Sequence, residues 1–315
     1  MRVAFVTGGS GFVGGRLIER LVADGWTVRA LARSDAAAAR VASLGAEPVR
    51  GSLEDALVSP GSEVVFHAAA KVDEWGAWED FRRVNVEGTR AVLRASVDAG
   101  AKRFVHVGTE AALLHGQPLV MADERTPLAF HSRAPYSATK AEAEAAVVGA
   151  SGIETIIVRP RFVWGPGDTT LVPAMAALVE SGRFRWIGGG RHLTSTCHVD
   201  NAVHGLVLAA DRGVPGSAYF VTDGAPVVFR DFVTALLATR GVTPPDAEVP
   251  RFVATGAARA AEAAWRALPL PGRPPLTRLG VWLASLECTL DDRRAHADLG
   301  YGPVVTREAG LAALA

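Results

Sequence analysis

Short apolar runs alternate with segments of helical periodicity through the first half of the chain. The apolar runs predict strands, which lie at residues 3–6, 28–32, 48–50, 63–67, 103–107 and 155–159. The intervening segments predict helices, which lie at residues 16–23, 85–99 and 136–148. Strands that alternate with helices build parallel sheets, so we expect an α/β fold with helices on both faces of a doubly wound parallel sheet.

The pattern becomes less regular after Gly165, where proline and glycine are frequent and the predicted strands are short. A segment at residues 195–210 predicts a strand and a helix that return to the first domain. From residue 224 onward the pattern indicates a smaller, mainly helical region. We therefore expect one domain at residues 1–165, with 195–222 returning to it, and a second domain formed by residues 166–194 and 223–315.

Residues 251–268 predict an amphipathic helix in the second domain. Its polar stripe consists of Arg251, Thr255, Arg259, Glu262 and Arg266. Its other side consists of Phe252, Val253, Ala260, Ala261, Ala264, Trp265 and Leu268. A helix of this kind packs on the domain core, covers a pocket as a lid, or makes a peripheral contact with a membrane surface.

The composition argues against several classes of function. Of the 315 residues, 49% are hydrophobic and 21% are charged, as in ordinary soluble enzymes. Lys plus Arg and Asp plus Glu both number 33, so the net charge gives no case for nucleic acid as a partner. The chain opens with a strand rather than a signal peptide, and no apolar run is long enough for a transmembrane segment.

The chain has two cysteines, Cys197 and Cys288, which do not show the spacing of metal ligands. We therefore expect no metal site. Buried thiols indicate a reducing compartment, and we expect the protein to be cytoplasmic.

A glycine-rich turn, TGGSGFVGG at residues 7–15, joins the first predicted strand to the first predicted helix. Such a turn holds a dinucleotide pyrophosphate: Gly8 allows a sharp turn, Gly11 lets the backbone approach the phosphates, and Gly14 lets helix and strand pack closely. The free N–H groups at the start of the helix then bind the anion. Taken alone, the stretch also fits a purely structural glycine turn.

Tyr136 and Lys140 lie four residues apart at the start of a predicted helix, so their side chains project from one face. An ammonium beside a phenol favours the phenolate, so we expect Lys140 to lower the pKa of Tyr136. A tyrosine poised in this way passes a proton to or from a carbinol oxygen. Thr109 follows the fifth strand, where its hydroxyl is placed to bind the same oxygen. Taken alone, Tyr136 and Lys140 could also be surface residues without a catalytic role, and Thr109 could also only cap the segment that follows the strand.

With these elements in this order, the chain resembles the extended short-chain dehydrogenase/reductase family, also described as the NAD-dependent epimerase/dehydratase family. The resemblance covers nearly the whole chain and rests on TGGSGFVG, FHAAA at 66–70, VNVEGT at 84–89, FVHV before Thr109, YSATK at 136–140, RPRFVWGPGD at 159–168 and HVDNAVHG at 198–205. It implies a Rossmann-type domain in which Tyr136 donates or accepts the proton, Lys140 binds the nicotinamide ribose and Thr109 replaces the usual serine. The cofactor contacts that it implies are Gly8, Gly11, Phe12, Val13, Ser52, Leu53, Ala68, Ala69, Asn85, Tyr136, Lys140, Pro160 and Val163.

Other segments resemble one branch of this family. VDEWGAWEDFRRVNVEGT and SAYFVTDGAPV are similar to 3β-hydroxysteroid dehydrogenases and sterol-carboxylate decarboxylases, near which the bacterial 2-alkyl-3-oxoalkanoate reductases stand. PPLTR at 274–278 and LGYGP at 299–303 agree with that branch. The resemblance implies reversible hydride transfer between a nicotinamide and a secondary alcohol or ketone.

The choice of cofactor depends on the end of the second strand. An NAD enzyme usually places a carboxylate there, which binds the ribose hydroxyls and repels a phosphate. This chain has Ala32 followed by Arg33, whose guanidinium suits a phosphate. We therefore favour NADP(H) as the cofactor and keep NAD(H) as the alternative. In that alternative, Arg33 is only a solvated charge at the end of the strand. Ser52 stands where the family commonly has Asp against the adenine.

Three tryptophans follow strands at the edge where this architecture opens its crevice, namely Trp75, Trp78 and Trp164. As pocket walls they suit a bulky apolar ketone or alcohol, either 3β-hydroxysteroid-like or 2-alkyl-3-oxoalkanoate-like. As an alternative, they only pack the domain interface. Glu110, which together with Gly108 departs from the small polar residues common at this point in the family, is a further candidate substrate residue.

The favoured function is therefore an NADP(H)-dependent oxidoreductase with a small apolar ketone or alcohol as its partner. One alternative is a nucleotide-sugar epimerase or dehydratase with tightly bound NAD, which the missing second-strand acid and the tryptophans disfavour. Another is a redox sensor that binds NADP(H) without turnover, which the retained Tyr/Lys pair disfavours. A homodimer is the assembly that we consider.

Overall fold

The computed structural model of the chain describes residues 2–55 and 57–315. In chain order the strands are β1 (Val3–Thr7), β2 (Thr27–Ala32), β3 (Glu47–Arg50), β4 (Val64–His67), β5 (Arg103–Val107), β6 (Leu119–Ala122), β7 (Glu154–Pro160), β8 (Val163–Trp164), β9 (Trp186–Ile187), β10 (Leu193–Thr194), β11 (Cys197–His198), β12 (Ser217–Val221), β13 (Val227–Val228), β14 (Glu248–Val249) and β15 (Cys288–Leu290).

The α-helices are α1 (Phe12–Ala23), α2 (Asp35–Ser43), α3 (Trp78–Phe81), α4 (Gly88–Asp98), α5 (Pro135–Val148), α6 (Leu171–Glu180), α7 (Val199–Arg212), α8 (Phe229–Ala238), α9 (Arg251–Ala267), α10 (Arg278–Ser285), α11 (Arg293–Leu299) and α12 (Arg307–Ala312). A π-helical stretch, Arg82–Glu87, joins α3 to α4, and 3-10 turns lie at Glu110–Leu113 and Gly188–Gly190. Along the described ranges, none of these helices combines the length and the apolar character that crossing a membrane requires.

The central sheet has seven parallel strands in the order β12-β7-β5-β4-β1-β2-β3. The chain runs outward from β1 to β3 and then returns to β4 on the other side of β1. Strand order therefore reverses between β1 and β4, whose ends Thr7 and His67 are in register. The crevice outside the carboxyl ends of two such strands is where doubly wound sheets bind their ligands.

Both faces of the central sheet are buried, because alternate residues of each strand enter different clusters of the core. On β1, Val6 packs in the cluster that α1 and α7 cover, whereas Phe5 packs in the cluster that α4 covers. Phe66 and Val65 repeat this alternation on β4. Strands that are buried on both faces are continuous apolar runs, which is why their positions could be predicted.

The predicted fold class is confirmed, and each strand predicted in the first half of the chain is present to within one residue. Helix α1 begins at Phe12 rather than at residue 16, because Gly14 and Gly15 lie inside the helix instead of before it. The edge strand β12 was not predicted. The strand predicted near residue 195 is the short β11, which pairs with β8 outside the central sheet, while α7 packs on the sheet as expected.

A second, four-stranded sheet joins distant parts of the chain in the order β13-β10-β15-β6. Its strand β6 precedes the predicted catalytic helix α5 in the chain but pairs with β15 near the C-terminus, so that Leu119 faces Cys288. The segment between Thr109 and Tyr136 therefore shares a sheet with the C-terminal region, although the sequence-based division places it in the first domain.

Helix α9 packs differently from the prediction. Its buried residues are Ala254, Ala258 and Glu262, and the predicted apolar side is largely exposed, with Phe252 at 79%. Small alanines allow close approach to α10, and the buried carboxylate of Glu262 accepts hydrogen bonds from the backbone and the guanidinium of Arg278 at 2.7 and 2.6 Å. The polar stripe is thus partly the packed side of this helix.

Candidate active site

The glycine turn has the geometry that its sequence predicts. Gly8 has φ +71°, and a Cβ there would stand 2.6 Å from the backbone nitrogen of Ala69. A Cβ on Gly14 would stand 2.3 Å from the carbonyl oxygen of Gly8, so helix and strand meet through glycine alone. At Gly11 a Cβ would meet only that same carbonyl, at 3.3 Å, which leaves its outer side open to a ligand.

The start of α1 fits the dinucleotide pyrophosphate that the glycine turn predicts. The N-cap is Gly11, which offers no side-chain acceptor to the first N–H groups of the helix. Its own N–H donates to the Gly8 carbonyl at 3.0 Å and closes the turn. The cradle that a Cβ would fill and the N–H groups behind it therefore suit an anionic dinucleotide, with Phe12 and Val13 partly exposed beside it.

A chain of hydrogen bonds ties the ends of β1 and β4 together. The Ala69 N–H donates to Oγ1 of Thr7 at 3.3 Å, and Oγ1 of Thr7 lies 2.7 Å from Nδ1 of His67. Nε2 of His67 lies 2.9 Å from Oγ1 of Thr89, which donates to the carbonyl of Asn85 at 2.6 Å. Burial and the nearby ammonium of Lys140 lower the pKa of His67 to about 3, so this ring is neutral and donates through Nε2. This role of His67 could not be recognised from the sequence.

Asn85 holds the loop after β4 from the other side. Its side chain accepts from the N–H of Lys71 at 2.7 Å and donates to the Lys71 carbonyl and to Oγ1 of Thr139, both at 3.1 Å. These bonds engage its oxygen and both of its amide hydrogens. In the described structure Asn85 therefore positions the loop that contains Ala68 and Ala69, and its predicted direct contact with a cofactor stays a prediction.

The residues predicted to select the cofactor lie around the end of β2. Arg33 is exposed, and no described residue forms an ion pair or hydrogen bond with its guanidinium. The nearby Asp35 is instead paired with Arg50, at 2.9 Å. The hydroxyl of Ser52 accepts from the N–H of Asp55 at 3.3 Å, so it caps a local turn. Arg33 is thus available to an anion. Leu53 packs beside Gly88, Pro160 ends β7, and Val163 begins β8.

The predicted catalytic residues Thr109, Tyr136 and Lys140 are brought together at the carboxyl end of β5 and the first turns of α5. Thr109 directly follows Gly108 at the strand end, and α5 packs on the 3-10 turn that Thr109 caps. Tyr136 is partly exposed and packs against the apolar cluster that contains Ala111 and Leu113.

Lys140 is buried and does not act on Tyr136 as predicted. Its Nζ donates to the carbonyl of Val107 at 2.8 Å and lies 3.0 Å from Nε2 of His106. Burial lowers the pKa of Lys140 to about 8, against an opposing effect of the Glu144 carboxylate. The pKa of His106 is well below its ordinary value, because of burial and the neighbouring Lys140, so this ring is a neutral acceptor.

The prediction that the pKa of Tyr136 is lowered is wrong for this structure. Burial is the largest cause of a raised pKa, and the carboxylates of Glu110 and Glu144 add to it. The hydroxyl of Thr109 works in the opposite direction. Lys140 is directed to the end of β5 rather than to the phenol, so Tyr136 is held as a protonated phenol.

Glu110 belongs to a buried network rather than to an open pocket wall. The Thr109 hydroxyl donates to its Oε2 at 2.8 Å, and Arg161 donates to its Oε1 at 2.6 Å. Arg161 is fully buried and also donates to Oγ1 of Thr194 at 3.1 Å. The carboxylate predicted as a substrate contact is thus already engaged by a guanidinium, and it orients Thr109. Arg161 was not singled out, although it lies in the RPRFVWGPGD segment.

A second buried ion pair explains the glycine before Thr109. Nε of Arg159 donates to Oε2 of Glu144 at 2.9 Å, and the other carboxylate oxygen accepts from the Thr109 N–H at 3.3 Å. A Cβ on Gly108 would stand 2.5 Å from this Oε1. The departure of Gly108 from the family pattern therefore makes room for the Glu144 side chain.

The tryptophans do not form one wall. Trp164 is fully buried; its indole N–H donates to Asp223 at 2.8 Å, and its ring packs edge-on against Phe232. The prediction that Trp164 lines an open pocket is therefore wrong, and its role is to pack the core. Trp75 is partly exposed with the Arg266 guanidinium 5.3 Å above its ring, and Trp78 is the first residue of α3.

A cleft that the sequence did not reveal lies between the segment before Tyr136 and the helices α9 and α10. Its volume is about 670 Å³, and Leu128–Arg133 form one wall. Leu128 and Tyr136 pack on the same apolar cluster, so the cleft and the predicted catalytic tyrosine share this part of the core.

Comparison with known proteins agrees with this geometry. Residues 5–251 match the 3-beta hydroxysteroid dehydrogenase/isomerase family. A 4-hydroxy-2-methyl-3-oxo-4-farnesyl-3,4-dihydroquinoline-1-oxide ketoreductase from Stigmatella aurantiaca is 48% identical, over 98% of this chain and 95% of its own length. A 2-alkyl-3-oxoalkanoate reductase from Stenotrophomonas maltophilia is 36% identical, over 97% of this chain and 96% of its own.

Solved structures share the whole architecture. The crystal structure of gox2253 has a TM-score of 0.80 at 28% identity and covers 100% of this chain and 98% of its own. The dTDP-glucose 4,6-dehydratase DesIV from Streptomyces venezuelae, solved with NAD and TYD bound, has a TM-score of 0.77 at 24% identity, over 99% and 95% of the two chains, and shows the fold alone. The family match and the two relatives confirm the resemblance found in the sequence. The chain belongs to the 3-beta hydroxysteroid dehydrogenase/isomerase family and is a nicotinamide-dependent oxidoreductase that acts on CH–OH groups.

Proposed function

We propose that the protein interconverts a ketone and a secondary alcohol on a bulky apolar substrate, 3β-hydroxysteroid-like or 2-alkyl-3-oxoalkanoate-like, with NADP(H) as its cofactor. The observation that carries this proposal is the meeting of Thr109, Tyr136 and Lys140 at the end of β5, at the same carboxyl edge of the sheet as the glycine turn that follows β1. Relatives named as a quinoline-oxide ketoreductase and a 2-alkyl-3-oxoalkanoate reductase support it.

In the direction of reduction, Tyr136 gives its proton to the carbonyl oxygen as that oxygen gains charge. Its raised pKa keeps the phenol protonated until the substrate oxygen becomes a stronger base. A nicotinamide, when bound, supplies the hydride that forms the new C–H bond, and in oxidation it accepts the hydride. The proton lost by Tyr136 is replaced from solvent, so that ketone, hydride and proton together give the alcohol.

Thr109 and Lys140 support this transfer from either side. The Thr109 hydroxyl, which donates to Glu110 at 2.8 Å, turns to the substrate oxygen and polarises it with Tyr136. Lys140 contacts Val107 and His106, and in the proposed reaction its ammonium donates to the ribose hydroxyls and supports the relay of protons from solvent. Its pKa of about 8 lets it gain and lose a proton near neutral pH.

The proposal of NADP(H) rests on Arg33. Its guanidinium is exposed after β2, has no ion-pair partner among residues 2–55 and 57–315, and follows Ala32 rather than an acid. A planar, permanently charged donor suits the 2′-phosphate. Solved structures with NAD at 24% identity or less bear on the fold and not on this choice.

The test is an assay of the purified protein with NADPH or NADH against steroid ketones, 2-alkyl-3-oxoalkanoates and bulky aromatic ketones, with UDP- and dTDP-sugars as the comparison. We expect oxidation of NADPH with at least one class of apolar ketone and little reaction of nucleotide sugars. Turnover confined to nucleotide sugars, with NAD copurifying, would favour an epimerase or dehydratase instead. Binding of NADPH without turnover of any substrate would favour a redox sensor.

The cytoplasmic location, the homodimer, the peripheral membrane contact and the domain boundaries stay predictions.

A further inference from the structure

The cleft between residues 115–133 and the helices α9 and α10 is cationic on one side. Arg133 lies on the loop wall, and Arg251 and Arg259 lie on α9, two turns apart on one face with Thr255 between them. All three arginines are exposed to the cleft or its rim. Among the described residues that line it, none is Asp or Glu.

These three arginines differ from most others in the chain, which are paired with carboxylates. In the described part of the protein, Arg133, Arg251 and Arg259 take part in no ion pair, whereas Arg278, in the same cleft, is neutralised by Glu262 at 2.6 Å. Arg251 also lies in the first turn of α9, where a cation opposes the helix dipole. Helix stability therefore does not explain its position, and a ligand anion would.

The other side of the cleft is apolar. It contains Leu128, Phe130, Val281, Trp282 and Leu286. Gly116, with φ +109°, lets the loop close on Trp282, because a Cβ there would stand 3.1 Å from the indole ring. A volume of about 670 Å³ is within the range of small-molecule sites. A cleft that is cationic on one side and apolar on the other matches an amphiphile with an anionic end.

We infer that this cleft binds an anionic group of the substrate, a carboxylate or a phosphate. The inference rests on the proposed function, because it makes the cleft a subsite of the same reaction. Thr109 and Tyr136 do not line the cleft, but its loop wall is joined to the turn that Thr109 caps, because the Ala129 N–H donates to the carbonyl of Ala112 at 2.8 Å. Leu128 and Tyr136 also pack on the same apolar cluster. A cleft whose charged side chains are mainly positive also raises the local concentration of an anionic substrate.

The first experiment measures binding to the NADPH-loaded protein by titration calorimetry, with decanoate, decyl phosphate and decanol as probes. We expect either anion to bind roughly tenfold or more tighter than decanol, the scale of a charge-assisted contact. Arg259→Gln and Arg133→Gln should each remove most of this preference and leave the binding of decanol unchanged. Arg240→Gln is the matched control and should change nothing, because Arg240 is exposed, follows the end of α8 and does not line the cleft. Equal binding of the three probes would overturn the inference.

The second experiment asks whether the cleft is part of the substrate site. In the reduction of an apolar ketone, decanoate should compete with the ketone and not with NADPH, and Arg259→Gln should weaken this inhibition roughly tenfold. Anion binding without competition would overturn the assignment of the cleft to the substrate. If no ketone is turned over but anions still depend on Arg259, the proposed function fails while the anion site stands.

Discussion

Nζ of Lys140 and Nε2 of His106 lie 3.0 Å apart in the interior of the protein. His106 is neutral, so its Nε2 accepts from the ammonium, and its Nδ1 then holds the ring hydrogen without a partner among the described residues. Lys140 is therefore held by groups of the protein itself at the end of β5. This arrangement places a charged group in the interior of the protein. Because burial disfavours the charged form, it lowers the pKa of Lys140 to about 8.

This lowered pKa predicts how stability depends on pH. Between about 8 and the ordinary lysine value of 10.5, the unfolded chain holds a proton that the folded chain has lost. Stability therefore rises with pH across this window, and below it the native state carries the full penalty. Lys140→Met removes the titrating group. The unfolding free energy of the wild type should therefore rise by roughly 3 kcal/mol relative to that of Lys140→Met from pH 7 to 10.5, as measured by urea denaturation. Parallel pH profiles would contradict a lowered pKa.

Gly108→Ala should destabilise the protein by roughly 1 to 3 kcal/mol, because the new methyl group would stand 2.5 Å from Oε1 of Glu144 and 2.7 Å from Ile157. Gly256→Ala on α9 is the control, since a Cβ there meets nothing within 4 Å and alanine favours a helix by up to about 1 kcal/mol. Thermal and urea denaturation should show opposite signs for the two substitutions. A neutral Gly108→Ala would show that the Glu144–Arg159 pair has room to move.

Much of the fold could be predicted because its strands are buried on both sides. Residues such as Phe5 and Val6 enter different clusters, so β1 is a continuous apolar run that is easily recognised. The strand β12 was missed because it begins with Ser217 and Ala218, and its neighbour β7 lies far away in the chain. Two-residue strands such as β10 are stabilised only by tertiary pairing and have no periodicity to find.

The meeting of Thr109, Tyr136 and Lys140 could be predicted from the sequence, whereas the electrostatics around them could not. Glu110 and Arg161 are 51 residues apart and Glu144 and Arg159 are 15 apart, so nothing local in the sequence indicates either pair. The expected effect of Lys140 on Tyr136 was wrong because helix spacing fixes the face from which a side chain leaves, not the partner that it reaches. Trp164 was assigned to the pocket on its position after β7, but β8 and the Asp223 hydrogen bond draw it into the core.

Tyr136→Phe should lower turnover of the ketone by about 10² or more, because the ring remains but the proton donor is lost. The dissociation constant of NADPH, measured by fluorescence titration, should change little. Tyr219→Phe is the matched control: this tyrosine also uses its hydroxyl, which accepts from the Val214 N–H at 3.0 Å, but it lies beyond the site on β12. Near-normal turnover of Tyr136→Phe would exclude the proposed role of its hydroxyl.

Arg33→Ala should weaken the binding of NADPH tenfold or more and leave that of NADH almost unchanged. A charge-assisted contact between the guanidinium and the 2′-phosphate is worth roughly 1.5 to 3 kcal/mol, and NADH lacks that phosphate. Arg40→Ala on α2 removes an exposed arginine from the next helix and serves as the control for a general change in surface charge. Both dissociation constants are measured for each variant at a fixed ionic strength, because screening weakens any exposed contact. Equal losses for NADPH and NADH, or a wild type that binds NADH more tightly, would show that Arg33 does not select the cofactor.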